Sequence, residues 1–150
     1  MGAAEQNERV RAFVQAALGA DEKVDVVVGH CTAGRVQDVV GPSAASTAGA
    51  QWARTCALVL TDRQLHFVRL KPAMFSTWFP PEEMIGHIPR QGLYGHIRAG
   101  LFSLLLTVAD HDPGGPHMEF TVRKGLRQSA EALVAALDAE GDPLGAVQPR

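Results

Sequence analysis

The stretch Cys56-Ala-Leu-Val-Leu-Thr-Asp-Arg-Gln-Leu-His-Phe-Val68 decides how this chain is read. Successive residues of a strand point to opposite faces, so Leu58 and Leu60 share one face of an extended segment. Leu65 and Phe67 share one face of the next. Thr61-Asp62-Arg63 lies between them as a turn, because the Asp62 side chain can bond its own backbone. Two apolar extended runs joined so tightly predict an antiparallel hairpin, with strands over 52–61 and 64–70.

A second hairpin lies downstream, over Leu101–Ala109 and His117–Arg123, with Asp112-Pro113-Gly114-Gly115-Pro116 as its turn. Phe102, Leu104, Leu106 and Val108 alternate on one face, as do Met118, Phe120 and Val122 on the partner strand. Ser103, Thr107, Glu119, Thr121 and Arg123 point the other way, which predicts one core face and one wetter face. Upstream, Lys23–Cys31 reads as a strand with Val24, Val26 and Val28 on one side and Val27 on the other. Gly, Ala, Ser and Thr dominate Thr32–Ala50. A short strand around Val36, Val39 and Val40 fits there, followed by a loop over 41–50. Between the hairpins, Pro72, Pro80, Pro81 and Pro89 break Lys71–Arg90 into extended pieces near Thr77–Phe79 and Met84–Ile88, confined to sheet edges or ends.

Helical spacing marks the two ends of the chain. Val10, Phe13, Val14, Ala17 and Leu18 form one stripe over Glu5–Leu18, and Gly19 stops it. Leu126, Ala130, Leu133, Val134 and Leu137 form another over about 126–139, ended by Gly141 and Pro143. The tail 142–150 is expected to fray. Helix, antiparallel strands, helix, with no alternating βαβ pattern, gives an α+β class and argues against a doubly wound parallel sheet.

The 150 residues fit a single domain, 1–150, large enough to fold without disulfides or metal. A net charge of −2 supplies no bulk attraction to nucleic acid. The charge is uneven, however: residues 51–109 hold 6 basic and 3 acidic side chains. The first twelve residues lack the apolar run of a secretory signal, and no apolar stretch approaches the length of a membrane span, so a cytoplasmic location is expected. Cys31 and Cys56 are expected as buried free thiols in such a compartment, and a disulfide between neighbouring strands stays open.

No local pattern announces catalysis. The Gly-x-Ser-x-Gly elbow, the phosphate-binding Gly-Lys loop and the dinucleotide glycine pattern are all missing. His111, Asp112 and His117 surround a hairpin tip, where polar residues belong anyway. His30 and Cys31 are adjacent on a strand and point apart. A pocket built around His66 or Cys56 is the remaining enzymatic alternative. We expect no catalytic residue, no cofactor and no metal ligand. Arg63, Arg69, Lys71, Arg123 and Lys124 are the candidate anion or lipid contacts, with Arg90 and Arg98 as further cations of the same basic middle. Phe75, Trp78 and Phe79, with Phe13 and Val14 of the first helix, are the candidate interaction surface.

The hairpin quoted above resembles the Leu-x-Leu-Thr-Asp-Arg-Arg-Leu-x-Phe hairpin of bacterial pleckstrin-homology-like domains, and the order of elements from about Val24 to Leu137 agrees. The resemblance implies a strongly bent antiparallel sheet, or partly open barrel, capped by the C-terminal helix. It leaves the N-terminal helix as an addition to a core over about 24–137. It also implies a non-catalytic binding or scaffold module that meets an unknown protein partner or a second copy of itself. Peripheral membrane or anionic lipid binding is the alternative. Only Arg35 lies in 32–50, where phosphoinositide-binding members of the wider superfamily place several cations, which argues against an inositol phosphate ligand.

Overall fold

The computed structural model describes residues 2–37, 55–71 and 79–141. Helix α1 (Ala3–Leu18) leads into β1 (Val24–Gln37), β2 (Thr55–Thr61), β3 (Gln64–Leu70) and β4 (Pro81–Pro89). Then come β5 (Leu93–Ala99), β6 (Ser103–Asp110), β7 (His117–Arg123), a 3-10 turn (Lys124–Leu126) and helix α2 (Arg127–Gly141). The seven strands form one antiparallel sheet in the order β4-β3-β2-β1-β7-β6-β5, with β4 and β5 as its edges among the described residues.

β1 joins the two halves of this sheet. Its first part pairs with β2 and its last part, from Thr32 to Gln37, pairs with β7. Register shifts fall between Val24 and Val26, between Val28 and Cys31, and between Ala33 and Arg35. Each is a bulge, an extra residue that bends the strand and sharpens its twist. The bends let one strand serve both β2 and β7.

Two cores result, one on each face. The larger lies under α2: Leu58, Leu60, Leu65 and Phe67 meet Leu104, Leu106, Met118 and Phe120, and Leu126, Ala130, Leu133 and Leu137 close over them. The smaller lies on the opposite face, where Val10 and Val14 of α1 cover Val27, Ala57, Val59, Val68 and Leu70. β2 and β3 are therefore buried on both sides, which is why the stretch 56–68 is apolar at nearly every strand position.

The bulge between Val28 and Cys31 takes backbone groups of Gly29 out of the β1–β2 ladder, and α1 receives them. The Gly29 N–H donates to Asn7 Oδ1 at 2.8 Å, and the Gly29 carbonyl accepts from Gln6 Nε2 at 3.0 Å. Gln6, 1% exposed, also pairs with the Phe79 backbone in both directions, at 2.8 and 3.1 Å. Asn7 Nδ2 reaches Ser129 Oγ on α2 at 2.8 Å. Only glycine fits here, because a Cβ at position 29 would sit 2.5 Å from Asn7 Oδ1 and 3.1 Å from the Asn7 backbone nitrogen.

Several expectations are corrected. β1 runs unbroken to Gln37, so the short strand expected around Val36 is there the continuation of β1 and not a separate element; β7 supplies the partner that the sequence alone did not reveal. Val24 packs with the α1 core while Val26 packs with the α2 core, because the bulge at Asp25 reverses the alternation. Leu93–Ala99, for which the sequence predicted no element, is the edge strand β5. Its Gly95 lies under α2, where a Cβ would meet Val134 Cγ2 at 2.9 Å, so the close approach of the helix explains the weak strand signal. Phe102 does not join Leu104, Leu106 and Val108 in the core, since β6 begins only at Ser103. Trp52, Val39, Val40, Thr77 and the 41–50 loop lie outside the described residues. Among the described residues, no helix is long and apolar enough to cross a membrane.

Gly29→Ala is expected to lower unfolding free energy by about 1–3 kcal/mol through overpacking against Asn7. Asn7→Ala is expected to cost about 1–3 kcal/mol by leaving the Gly29 N–H without an acceptor. In urea titrations the double variant should lose less than the sum, because removing Asn7 also removes the obstruction. Strict additivity would mean that Asn7 and Gly29 do not act on one another.

Candidate functional site

The side chains able to do chemistry are mostly engaged in holding the fold together. Glu22, in the link between α1 and β1, accepts from the Thr61 hydroxyl and lies 2.7 Å from His66 Nε2. Thr61 also accepts the N–H groups of Arg63 and Gln64 at 3.1 and 2.9 Å. Nucleophile activation needs the hydroxyl beside the imidazole. Here the carboxylate stands between them, so the trio ties the α1–β1 link to β2 and β3. Burial works to raise the Glu22 carboxyl, but the hydrogen bonds from Thr61 and His66 and the His66 charge outweigh it and hold the group below its ordinary value. Beside it, Leu18, Gln64, His66, Met84 and His87 line an open cleft of about 500 Å³.

Cys31 and Cys56 are register partners across β1 and β2 with their Sγ atoms 3.5 Å apart, both free and buried. Burial, and then the neighbouring thiol, push Cys31 well above its ordinary value, which removes the thiolate a nucleophile needs. His30 stacks on Phe79 with ring centroids 4.1 Å apart. Burial and then the Arg123 charge push its imidazole down to about 4. His111 lies against Tyr94 and His117 lies 3.6 Å from Glu119. Among the described residues, no three His, Cys, Asp or Glu side chains come together to hold a metal ion.

The predicted cations do not form one patch. Arg63 sits in the turn before β3 and Lys71 follows its far end, so the length of the strand separates them. Arg69 stands opposite Cys56, on the face that lines the α2 core, and pairs with Glu83 at 2.6 Å. Arg123 alternates with core residue Val122 and therefore lies on the other face. Arg90 is not a surface cation at all. It is 6% exposed and its guanidinium donates to the Thr61 carbonyl, to Asp25 and to the Ala136 carbonyl, bracing the first bulge of β1 against α2.

The predicted apolar surface fares no better. Val14 is fully buried and Phe13 packs in the same core, because the stripe of α1 is spent on the outer face of β1–β3. Phe79 is half-buried against His30 and held by Gln6. Phe75 and Trp78 lie outside the described residues.

The surface that does stand out was missed. Leu101 and Phe102 are 80% and 85% exposed, the large apolar side chains laid bare among the described residues. They are the central pair of the tight turn joining β5 to β6, closed by the Gly100 N–H on the Ser103 carbonyl at 2.7 Å. Turns of this kind ordinarily carry Asn, Asp or Gly. The alternation of 102, 104, 106 and 108 disguised Phe102 as a strand residue. The signal that could have found the turn is Gly100, which precedes the pair.

Cations gather at this turn. The Lys124 ammonium donates to the Leu101 carbonyl at 2.9 Å. Arg123 is the register partner of Ser103, and Arg98 precedes the turn on β5; both are exposed. Arg98 and Arg123 have no ion-pair partner among the described residues. Arg123 and Lys124, two of the expected anion contacts, thus fall beside the exposed apolar pair.

No family model, curated protein or solved structure matches this chain. Its function has to be read from the side chains themselves.

Two acid windows are expected. Folded His30 stays neutral down to about 4, whereas the unfolded imidazole takes up a proton near 6.5. The unfolded state then binds more protons, so stability falls as pH drops from 6.5 towards 4. Glu22, held below its usual 4.5, contributes stability above that value and loses it on further acidification. Denaturant titrations at stepped pH should show His30→Gln flattening the upper window and Glu22→Gln the lower. An NMR titration midpoint of His30 near 6.5 would refute the first.

Cys31 and Cys56 should resist iodoacetamide in the folded protein and react once it is unfolded, as read by mass spectrometry. Fast labelling under native conditions would contradict their burial.

Proposed function

We propose that this chain is a non-catalytic binding module of the pleckstrin-homology-like type, working through the β5–β6 end of its open sheet. The observation that carries this is the turn at Leu101–Phe102, which breaks ordinary turn chemistry where the β2–β3 and β6–β7 turns follow it. In the β6–β7 turn Asp112 accepts the Gly114 N–H; in the β2–β3 turn the Thr61 hydroxyl, and not the expected Asp62, accepts the Arg63 and Gln64 N–H groups, while Asp62 accepts from the Lys23 N–H. Local rules broken without structural benefit are a mark of functional surfaces. An exposed Leu–Phe pair adds nothing to either core.

The strand order, with a C-terminal helix across one face, supports the family type. The non-catalytic part is supported by the structural engagement of Glu22, His66, Thr61 and the thiols. Self-association through α1 loses its basis, since the apolar stripe of that helix is already covered. Contact with a protein partner moves instead to β5, a seven-residue edge strand next to the turn, which has one side open to strand addition.

A photoreactive phenylalanine analogue at position 102 tests the reading in cells, against the same analogue at Pro113 in the turn at the other end of β6. We expect a discrete adduct, protein or lipid, from position 102 and none from 113. Equal, diffuse labelling from both positions would sink the proposal.

A further inference from the structure

The Leu101–Phe102 turn has two properties that together narrow its partner. It is apolar at the tip and cationic around the base. We propose that this turn docks the domain on an anionic lipid surface, with Leu101 and Phe102 entering the headgroup region and Arg98, Arg123 and Lys124 meeting lipid phosphates. The inference rests on the binding-module reading and names the partner within it.

Size and shape argue for a bilayer over a protein. A specific protein interface covers about 800 Å² on each partner, around a packed apolar centre. Two side chains projecting from the tip of a hairpin offer far less, and a convex tip needs a matching pocket in any protein partner. A bilayer interface needs none: large apolar side chains partition into it one at a time, and each Lys or Arg held near an anionic surface adds attraction. The charges fit this geometry. Arg98 and Arg123 lie on the face of the β5–β7 half that no described helix covers, and Lys124 stands where β7 gives way to the 3-10 turn. Arg127, one step further, is paired with Glu131 at 3.5 Å and sits outside the group. With a net charge of −2, the chain as a whole would not be drawn to such a surface, so the local arrangement has to supply the attraction. The Lys124 bond to the Leu101 carbonyl adds rigidity, holding the turn backbone so that the apolar pair projects before any contact is made.

The test is sedimentation of the full chain with vesicles of pure phosphatidylcholine and with an equimolar mixture of phosphatidylcholine and phosphatidylglycerol. Binding is expected on the mixed vesicles only, weakening as salt is raised. Phe102→Ser should lower the partition coefficient roughly tenfold or more, by the loss of an inserted aromatic side chain. Arg98→Ser and Arg123→Ser should each lower it about fivefold. All three positions are exposed, so the thermal midpoint should not change, and measuring it separates lost binding from lost folding. No pelleting, equal pelleting on both vesicle types, or pelleting untouched by Phe102→Ser would each overturn the inference. The cross-linking experiment keeps the two readings apart. A discrete protein adduct at position 102 without vesicle binding removes the lipid surface and leaves the binding module standing, whereas failure of both removes both.

Discussion

The hydrogen bonds between the bulged backbone at Gly29 and the side chains of Asn7 and Gln6 are the constraint on which the rest of the structure depends. A bulge bends a strand at the cost of ladder hydrogen bonds, and buried backbone groups left without partners are expensive. Without the bend, β1 would not pass from β2 to β7, and the sheet would not fold into two halves. α1 makes the bend tolerable by offering an amide oxygen and an amide N–H at the right place. The helix is thus part of the fold's logic and not an appendage to a self-sufficient core.

Other buried polar groups play comparable parts. Gln15 accepts from the Val24 N–H and donates to the Gly19 and Glu22 carbonyls, shaping the link from α1 to β1. Glu22 then binds that link to β2 and β3, and Arg90 binds β1, β2 and α2 near the first bulge. Satisfied networks of this kind specify one arrangement of elements more sharply than apolar packing alone, which tolerates repacking. They also account for the residues that look most like chemistry in the sequence. In the Thr61, Glu22 and His66 trio the carboxylate stands between the hydroxyl and the imidazole, and that order ties the α1–β1 link to β2 and β3.

Among the described residues, α1 and α2 each cover part of the sheet and leave the outer face of β5–β7 uncovered, with β4 and β5 at the sheet's edges. The Leu101–Phe102 turn, which departs from ordinary turn chemistry, is found on that uncovered face of the described residues, with cations around it. Its apolar pair is exposed and contributes to neither core, and the proposed contact outside the chain rests on that.

The amino-acid sequence by itself determined the α+β class, the hairpin of β2 and β3, the hairpin of β6 and β7 and both helices. Each of these rests on local periodicity or turn chemistry, written within about ten neighbouring residues. It also determined the core faces Leu58–Leu60, Leu65–Phe67 and Met118–Phe120–Val122, because alternation holds wherever a strand is regular. Only the tertiary structure decided the rest. The bulges reversed the alternation at Val24 and carried β1 on to Gln37, through pairing with a strand about eighty residues away. Pairing with β6 made a strand of Leu93–Ala99, with Gly95 leaving room for α2 above it. Arg90 became a buried brace and Arg123 the register partner of Ser103 at the end of the Leu101–Phe102 turn, since which charges meet depends on sheet register and not on spacing along the chain. Whether Phe102 is core or surface turned on where a strand begins, a matter of one or two residues that periodicity cannot resolve but hydrogen bonding across the turn can.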